Sequence, residues 1–356
     1  MFLSDILSSL YALQAACGNN VLLVCTGDGA LGQRVADVLA QCGTPFERVD
    51  GLFAFHETVD GSTVTAALRA SLSVQQQKEV RVASGGIGEV LRSPTLNSRD
   101  RRLETAWFDP AFSTGQFTTF FQPVMDVRRE SPIGYECLIR CHGAKLYHGG
   151  DIIDAVHARG MAREFDCYAR RLALRSASGL LSKGERLFVN LLPSSIGVPS
   201  ESLRQTLETL AASSMRACDV VFEVVESERL DDLPQLRRTC EFLREQGFGL
   251  ALDDVGAGSA TLQLISEIRP DFIKIDKALV WSLGNEITAL GVRKLAELGH
   301  HFGIESIAEG IETEDTLEAV EELGISLVQG YLTGRPSAEM KHSWKRSLHA
   351  AIPVLG

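Results

Sequence analysis

The sequence predicts an α/β chain: a (β/α)8, TIM-like barrel with an antiparallel first strand, preceded by a small α/β N-terminal domain. Three observations lead there. Short apolar or β-branched runs recur at Phe120–Val127, Tyr135–Arg140, Arg186–Leu192, Val220–Val225, Gly249–Asp254, Phe272–Lys277, Ser306–Gly310 and Leu327–Tyr331. Helical patterns separate most of them, near residues 151–182, 201–212, 233–246, 286–302 and 313–323, with a short piece at 262–267. Strands alternating with helices over about 240 residues fit one closed barrel. The third observation is the first connection. Only residues 128–134 lie between the first two runs, and Ser131-Pro132-Ile133-Gly134 has turn chemistry. A parallel crossover needs a dozen or more residues, so the first strand should run antiparallel to the second.

The elements upstream are less regular. Residues 92–102 are polar, charged and interrupted by Pro94, which suits a linker or an exposed connecting helix. The expected division is a small domain over 1–91, a linker over 92–112 and the barrel over 113–350.

Composition narrows the function classes. The chain has 356 residues, 45% hydrophobic and 23% charged, which is ordinary for a globular protein. The net charge of −11 argues against a polymeric nucleic acid as partner, because neutralising a phosphate backbone takes a basic surface. No run approaches the length of a membrane span. The start, Met1-Phe2-Leu3-Ser4-Asp5, lacks the basic stretch of a signal peptide, so a cytoplasmic protein is expected. The chain has 8 cysteines, none in a Cys-x-x-Cys pair. A long cytosolic chain needs no disulfide framework, and Cys137 and Cys141 read as small buried side chains.

Barrel strands are buried on both faces and should be apolar throughout. These are not. Glu136 and Arg140 lie on the second run, Asn190 on the third, Glu223 on the fourth with Glu226 just beyond, and Asp253-Asp254 end the fifth. Lys274 and Asp276 lie on the sixth, Glu309 ends the seventh, and Gln329 is on the eighth. An unpaired buried charge costs several kcal/mol, and barrel active sites form at the C-terminal strand ends. Five carboxylates in one mouth would repel unless protonated or bridged by metal. Oxygen ligands without a His or Cys cluster suit Mg²⁺ or Mn²⁺. Paired ions suit phosphate-ester hydrolysis. The bland alternative is an ion-pair network that only holds the barrel together; Glu226 and Asp276 fit it best.

The segment Tyr135-Glu136-Cys137-Leu138-Ile139-Arg140 resembles the signature of the EAL family of bacterial cyclic di-GMP phosphodiesterases. Further segments are similar in the same order: Phe121-Gln122-Pro123, Val189-Asn190, Glu223 to Ser227, Asp253 to Gly258, Ile273 to Asp276, Ala308 to Glu312 and Gln329-Gly330-Tyr331. The resemblance spans about residues 110–350. It implies a barrel with a reversed first strand and hydrolysis of cyclic di-GMP to linear pGpG. It further implies two divalent ions, Mg²⁺ or Mn²⁺, held by Glu136, Asn190, Glu223, Asp253, Asp254 and Glu309, which activate the attacking water. Lys274 would orient that water and offset developing charge, with Glu309 counted among the catalytic groups. Arg140 would meet the ligand phosphate, Leu138 and Gln122 would contact the ligand, and Gln122 would lie near a guanine. Glu226 would brace the loop after the fifth strand, and Gln329 would support the metal site. A homodimer through the barrel is implied as well.

Two departures stand out. Cys137 replaces the usual Ala. Val255 stands where the family usually has Phe, and residue 259 is a small Ser, so activation through dimerisation is less secure. A second reading keeps the ligand and drops the chemistry: a silent EAL-like receptor that binds cyclic di-GMP.

In the first hundred residues, Val21–Cys25 reads as a buried strand. Gly27-Asp28-Gly29-Ala30-Leu31-Gly32 and a helical pattern follow. This matches the G-x-G-x-x-G dinucleotide fingerprint in context, although Asp28 would sit beside a pyrophosphate. A degenerate receiver-like or GGDEF-like module is a second reading, because Arg48–Phe55 is faintly similar to the GGDEF signature without its acidic residues. A plain α/β regulatory or dimerising module is the third.

Overall fold

The computed structural model describes residues 22–26, 29–41, 43, 46–49, 52–55, 61–77, 79–84, 102, 104–225, 233–256 and 261–346. The chain divides into two compact units, Met1–Pro110 with His157–Arg159, and Ala111–Val156 with Gly160–Gly356.

The first unit carries β1 (Leu22–Thr26), α1 (Gly29–Gln41), β2 (Phe46–Val49), β3 (Leu52–Phe55), α2 (Gly61–Ser71), α3 (Val74–Gln77) and β4 (Val80–Ser84). The strand order is β2-β3-β1-β4, and each neighbouring pair is antiparallel. This is the split βαββαβ arrangement. Apolar residues at helical spacing on α1 (Leu31, Val35, Val38, Leu39) and on α2 (Val64, Leu68) join Val24, Phe53, Val80 and Val82 in one buried cluster. A dinucleotide fingerprint works within a parallel βαβ unit. Here β1 has only antiparallel neighbours among the described strands, and β2, which follows α1, pairs with β3 instead. That corrects the dinucleotide reading; Gly27 and Asp28 themselves lie outside the described residues.

The second unit is the barrel. Its strands are β5 (Phe117–Asp126), β6 (Ser131–His142), β8 (Arg186–Leu191), β9 (Val220–Val225), β10 (Gly249–Val255), β11 (Phe272–Ile275), β12 (Glu305–Ala308) and β13 (Leu327–Val328). The short β7 (Leu146–Tyr147) adds to β6. Pairing runs β5-β13-β12-β11-β10-β9-β8-β6, and β5 pairs with β6 to close the ring. Strand β5 is antiparallel to both β6 and β13, while the others pair in parallel. The reversed strand expected from the short first connection is therefore present.

Alternation along each strand sorts two cores. One set, including Leu187, Val189, Val220, Phe222, Leu250, Leu252 and Ile273, packs outward against helical residues such as Leu174, Leu210, Leu243 and Ile268. The other set fills the barrel: Val124, Phe188, Val221, Ala251, Phe272, Ile307 and Leu327 form one buried cluster. Most helices fall where the periodicity predicts. The long helical region over 151–182 holds two helices, Gly149–Arg159 and Ala162–Ala177. Gly160 between them has φ 65°, a left-handed turn that suits glycine and ends the first helix. The strand expected to reach Lys277 stops at Ile275 because the Asp276 carboxylate accepts from Ala278 N–H and caps the next helix, Lys277–Trp281. No helix among the described residues is long and apolar enough to cross a membrane.

Strands β6 and β8 approach closely at Gly134. A Cβ on Gly134 would lie 2.1 Å from the Arg186 carbonyl oxygen, so one strand could approach the other only by moving backbone. Gly134→Ala is expected to lower stability by about 3 kcal/mol, the upper range for overpacking. Urea unfolding is the check, and a midpoint equal to wild type would contradict it.

Candidate functional site

The strand register builds the site in a single step. Each residue of the apolar cluster inside the barrel has a polar counterpart two positions along the chain, on the strand or directly at its end. Phe188 leads to Asn190, Val221 to Glu223, Ala251 to Asp253, Phe272 to Lys274, Ile307 to Glu309 and Leu327 to Gln329. A spacing of two keeps each side chain on the same inner face, one layer closer to the C-terminal mouth. On the reversed strand the step runs backwards, from Val124 to Gln122. Gln122 pairs with Glu136 across β5 and β6, and Asn190 with Glu223 across β8 and β9.

Lys274 lies at the centre. Its side chain is 1% exposed, and Nζ lies 2.8 Å from Glu309, 2.9 Å from Glu223, 3.0 Å from Asp253 and 3.3 Å from Glu136. Burial alone would pull its pKa down, but Asp253, Glu136, Glu223 and Glu309 push it well above the ordinary value. The carboxylates are perturbed in turn. Burial raises Glu223 well above the usual range, opposed by Lys274 and reinforced by Glu136 and Asp253. Burial likewise lifts Glu309 to about 7 and Asp254 to about 6. Lys274 opposes both shifts, and neighbouring carboxylates, Asp253 foremost, add to them.

Other groups orient this cluster. Gln329 donates from Nε2 to Glu136 at 2.6 Å, and Asn190 donates from Nδ2 to the other Glu136 oxygen at 3.5 Å. Gln122 is buried and donates to the Gly334 carbonyl at 3.2 Å. Arg140, also buried, donates to the Ile139 carbonyl, lies over the Phe120 ring, and leaves Nε without a hydrogen bond. Burial lowers its pKa, and Glu136 opposes that shift. Leu138 is half-buried, on the same strand face as Glu136 and Arg140. Asp254 has φ 56°, a left-handed conformation rare for a non-glycine residue. Glu226 and residues 257–260 lie outside the described residues. Cys137 and Cys141 are buried and free.

The donor set fits hard cations. Asp253, Asp254 and Glu309 each offer an oxygen within 4.8 Å of the others. Glu223 Oε2 is buried with neither a hydrogen bond nor an ion pair, and Glu223 Oε1 and Asp253 Oδ1 are met by Lys274 Nζ; bound ions would satisfy the remaining oxygen. The same mouth opens into a cavity of about 200 Å³ lined by Gln122, Glu136, Glu309, Gln329, Trp281 and Tyr331, among others. Trp281 belongs to none of the sequence motifs above. It lies on a short helix after β11, where no periodic signal marks an aromatic that faces a cavity.

The family model for the EAL domain matches residues 105–336, and the chain belongs to that family. Among curated relatives, it is 27% identical over 231 residues to the cyclic di-GMP phosphodiesterase PdeF of Escherichia coli K12. That match covers 64% of this chain and 30% of the relative. It is also 27% identical over 234 residues to the cyclic di-GMP phosphodiesterase NbdA of Pseudomonas aeruginosa, covering 64% of this chain and 30% of that one. The chain thus spans under a third of the length of these two relatives. Among solved structures, a standalone EAL protein from Vibrio cholerae O395 in its cyclic di-GMP-bound form is 26% identical with a TM-score of 0.58. That likeness covers 64% of this chain and 95% of the other.

The raised carboxyls set a pH dependence. Between about pH 5 and 7 the folded chain retains protons on Glu309 and Asp254 that the unfolded chain has released. More protons bound when folded means stability falls as pH rises through this window. In metal-free buffer the urea midpoint should fall from pH 5 to pH 7, by more than about 1 kcal/mol in stability. Glu309→Gln should flatten that slope. Parallel slopes for wild type and variant would contradict the assignment.

Proposed function

We propose that the chain is a metal-dependent phosphodiesterase that hydrolyses cyclic di-GMP to linear pGpG. The observation that carries this reading is the buried group of carboxylates around Lys274, with Asp254 beside it and more acidic groups than the one ammonium can neutralise. Membership of the EAL family supports the same substrate. Glu136, Asn190, Glu223, Asp253, Asp254 and Glu309 would hold two divalent ions, Mg²⁺ or Mn²⁺. Such ions polarise a phosphodiester and lower the pKa of attacking water.

The chain's own groups do the rest. Lys274 places a fixed positive charge where the water attacks and stabilises charge that develops on phosphorus oxygens. Arg140, with Nε unsatisfied, takes a ligand phosphate, and Leu138 and Gln122 flank the bound nucleotide. Gln329 fixes the Glu136 carboxylate through its 2.6 Å hydrogen bond, and Glu309, 2.8 Å from Lys274 Nζ, holds that ammonium at the site. Glu226 is assigned to bracing the loop after β10. The wider reading is a cytoplasmic signalling protein whose N-terminal unit, over residues 1–91 and joined by 92–112 to the barrel at 113–350, regulates it. Self-association through the barrel belongs to this reading, supported by exposed Leu262, Ile287 and Leu290.

The deciding experiment is chromatography of purified protein incubated with cyclic di-GMP and Mg²⁺ or Mn²⁺. Release of pGpG, lost on EDTA treatment and restored by metal, is expected; binding without turnover would leave the silent receptor. Glu136→Ala and Asp253→Ala should abolish turnover, and calcium should inhibit, because its longer coordination misplaces the water. Undiminished activity in EDTA would overturn the metal assignment.

Lys274→Ala should lower kcat by about 10²- to 10³-fold and weaken cyclic di-GMP binding far less, the pattern of a contact made chiefly in the transition state. The variant should also melt at lower temperature, since it strands four buried carboxylates. Single-turnover rates on the folded fraction separate the two effects. A normal rate there would remove Lys274 from the chemistry.

A further inference from the structure

We infer that the Trp281 indole is the base-stacking wall of the nucleotide pocket, a specificity-determining contact with one purine of the ligand. This rests on the cyclic di-GMP reading above and goes beyond it by naming what recognises the base. Trp281 is 56% exposed, and exposing so large an apolar ring forgoes the burial that normally favours it. It lines the cavity that also holds Glu136 and Glu309, and Tyr331, 49% exposed, lines the same cavity. A flat aromatic beside a phosphate-handling cluster suits a nucleotide, which has a phosphate for one and a planar base for the other.

The ring is held in place from behind. Its Nε1–H donates to the Gly310 carbonyl at 2.8 Å, and Gly310 directly follows Glu309. A Cβ on Gly310 would lie 2.5 Å from Lys277 Cβ and 3.1 Å from Trp281 Nε1, so the glycine is what lets the indole approach. Lys277 Nζ lies 5.7 Å from the ring centroid, within cation–π range. A side chain fixed at its polar edge and open at the cavity presents a preorganised platform, which reduces the ordering cost of binding.

The test uses the full chain with Trp107 and Trp344 replaced by Phe, so that Trp281 alone fluoresces. Cyclic di-GMP is titrated with calcium in place of magnesium, and its binding is followed in parallel by equilibrium dialysis. Quenching of Trp281 that tracks the dialysis isotherm is expected. Trp281→Ala should weaken affinity about tenfold, in line with stacking worth roughly 1–3 kcal/mol per base, with kcat within about threefold of wild type. Trp281→Phe, which keeps a ring, should retain most of the affinity. Binding by dialysis with no change in Trp281 emission would overturn the inference and leave the phosphodiesterase reading standing. No binding by dialysis in the unaltered chain would overturn that reading and this inference with it. A Trp281→Ala chain with a reduced kcat at unchanged affinity would make Trp281 only a support for the Glu309 loop and overturn the stacking role. Altered sedimentation with unchanged affinity would make it a contact between copies and overturn it too.

Discussion

A buried ammonium held among four carboxylates organises the barrel mouth. Lys274 has almost no access to solvent, and each of Glu136, Glu223, Asp253 and Glu309 comes from a different strand. Neither side of this arrangement is stable alone. An isolated ammonium would give up its proton at such a depth, and four carboxylates without it would repel or take up protons. Together they carry more negative than positive charge; burial first, and then the neighbouring carboxylates, hold Glu309 and Glu223 above the normal carboxylate range. A site in that condition favours additional cations. The same imbalance would give a divalent ion its affinity in the proposed enzyme.

The apolar layer beneath makes the cluster possible. Phe188, Val221, Ala251, Phe272, Ile307 and Leu327 fill the barrel with one buried apolar cluster. One pleat nearer the mouth, every inward position is polar. The boundary between the layers is sharp because strand periodicity is strict: a residue two positions on has no alternative orientation. The reversed strand obeys the same rule in the opposite direction, which brings Gln122 opposite Glu136. The site is thus a cross-section of the barrel, supplied by all its strands at one height.

Local backbone choices then refine the geometry. Asp254 takes a left-handed conformation just where β10 ends, so that adjacent aspartates need not point to opposite faces as they would in a regular strand. Asp276 ends β11 by capping the following helix, which delivers Lys277 and Trp281 to the cavity. Gly310 permits the close approach of the indole. These details lie in loops, where function can vary without disturbing the barrel.

Much of this was legible from residue order alone. The reversed strand followed from the shortness of residues 128–134, and the metal-ligand candidates followed from charges on strands that should be apolar. Both signals are local in sequence and rest on strict rules, loop reach and burial cost. Other features depend on which residues meet in space. The G-x-G-x-x-G pattern at residues 27–32 matched a dinucleotide fingerprint, one of three readings of this segment, but strand partners are chosen by tertiary pairing, and β1 takes β3 and β4 as antiparallel neighbours. The helical region over 151–182 breaks at Gly160, whose left-handed φ of 65° is seen in the folded chain. Lys274 was visible as a cation among acids, but its four simultaneous contacts require strands far apart in sequence to close into a ring. Trp281 gave no signal at all. Its exposure and its bond to Gly310 arise where two barrel loops meet, and no periodicity within the chain encodes that meeting.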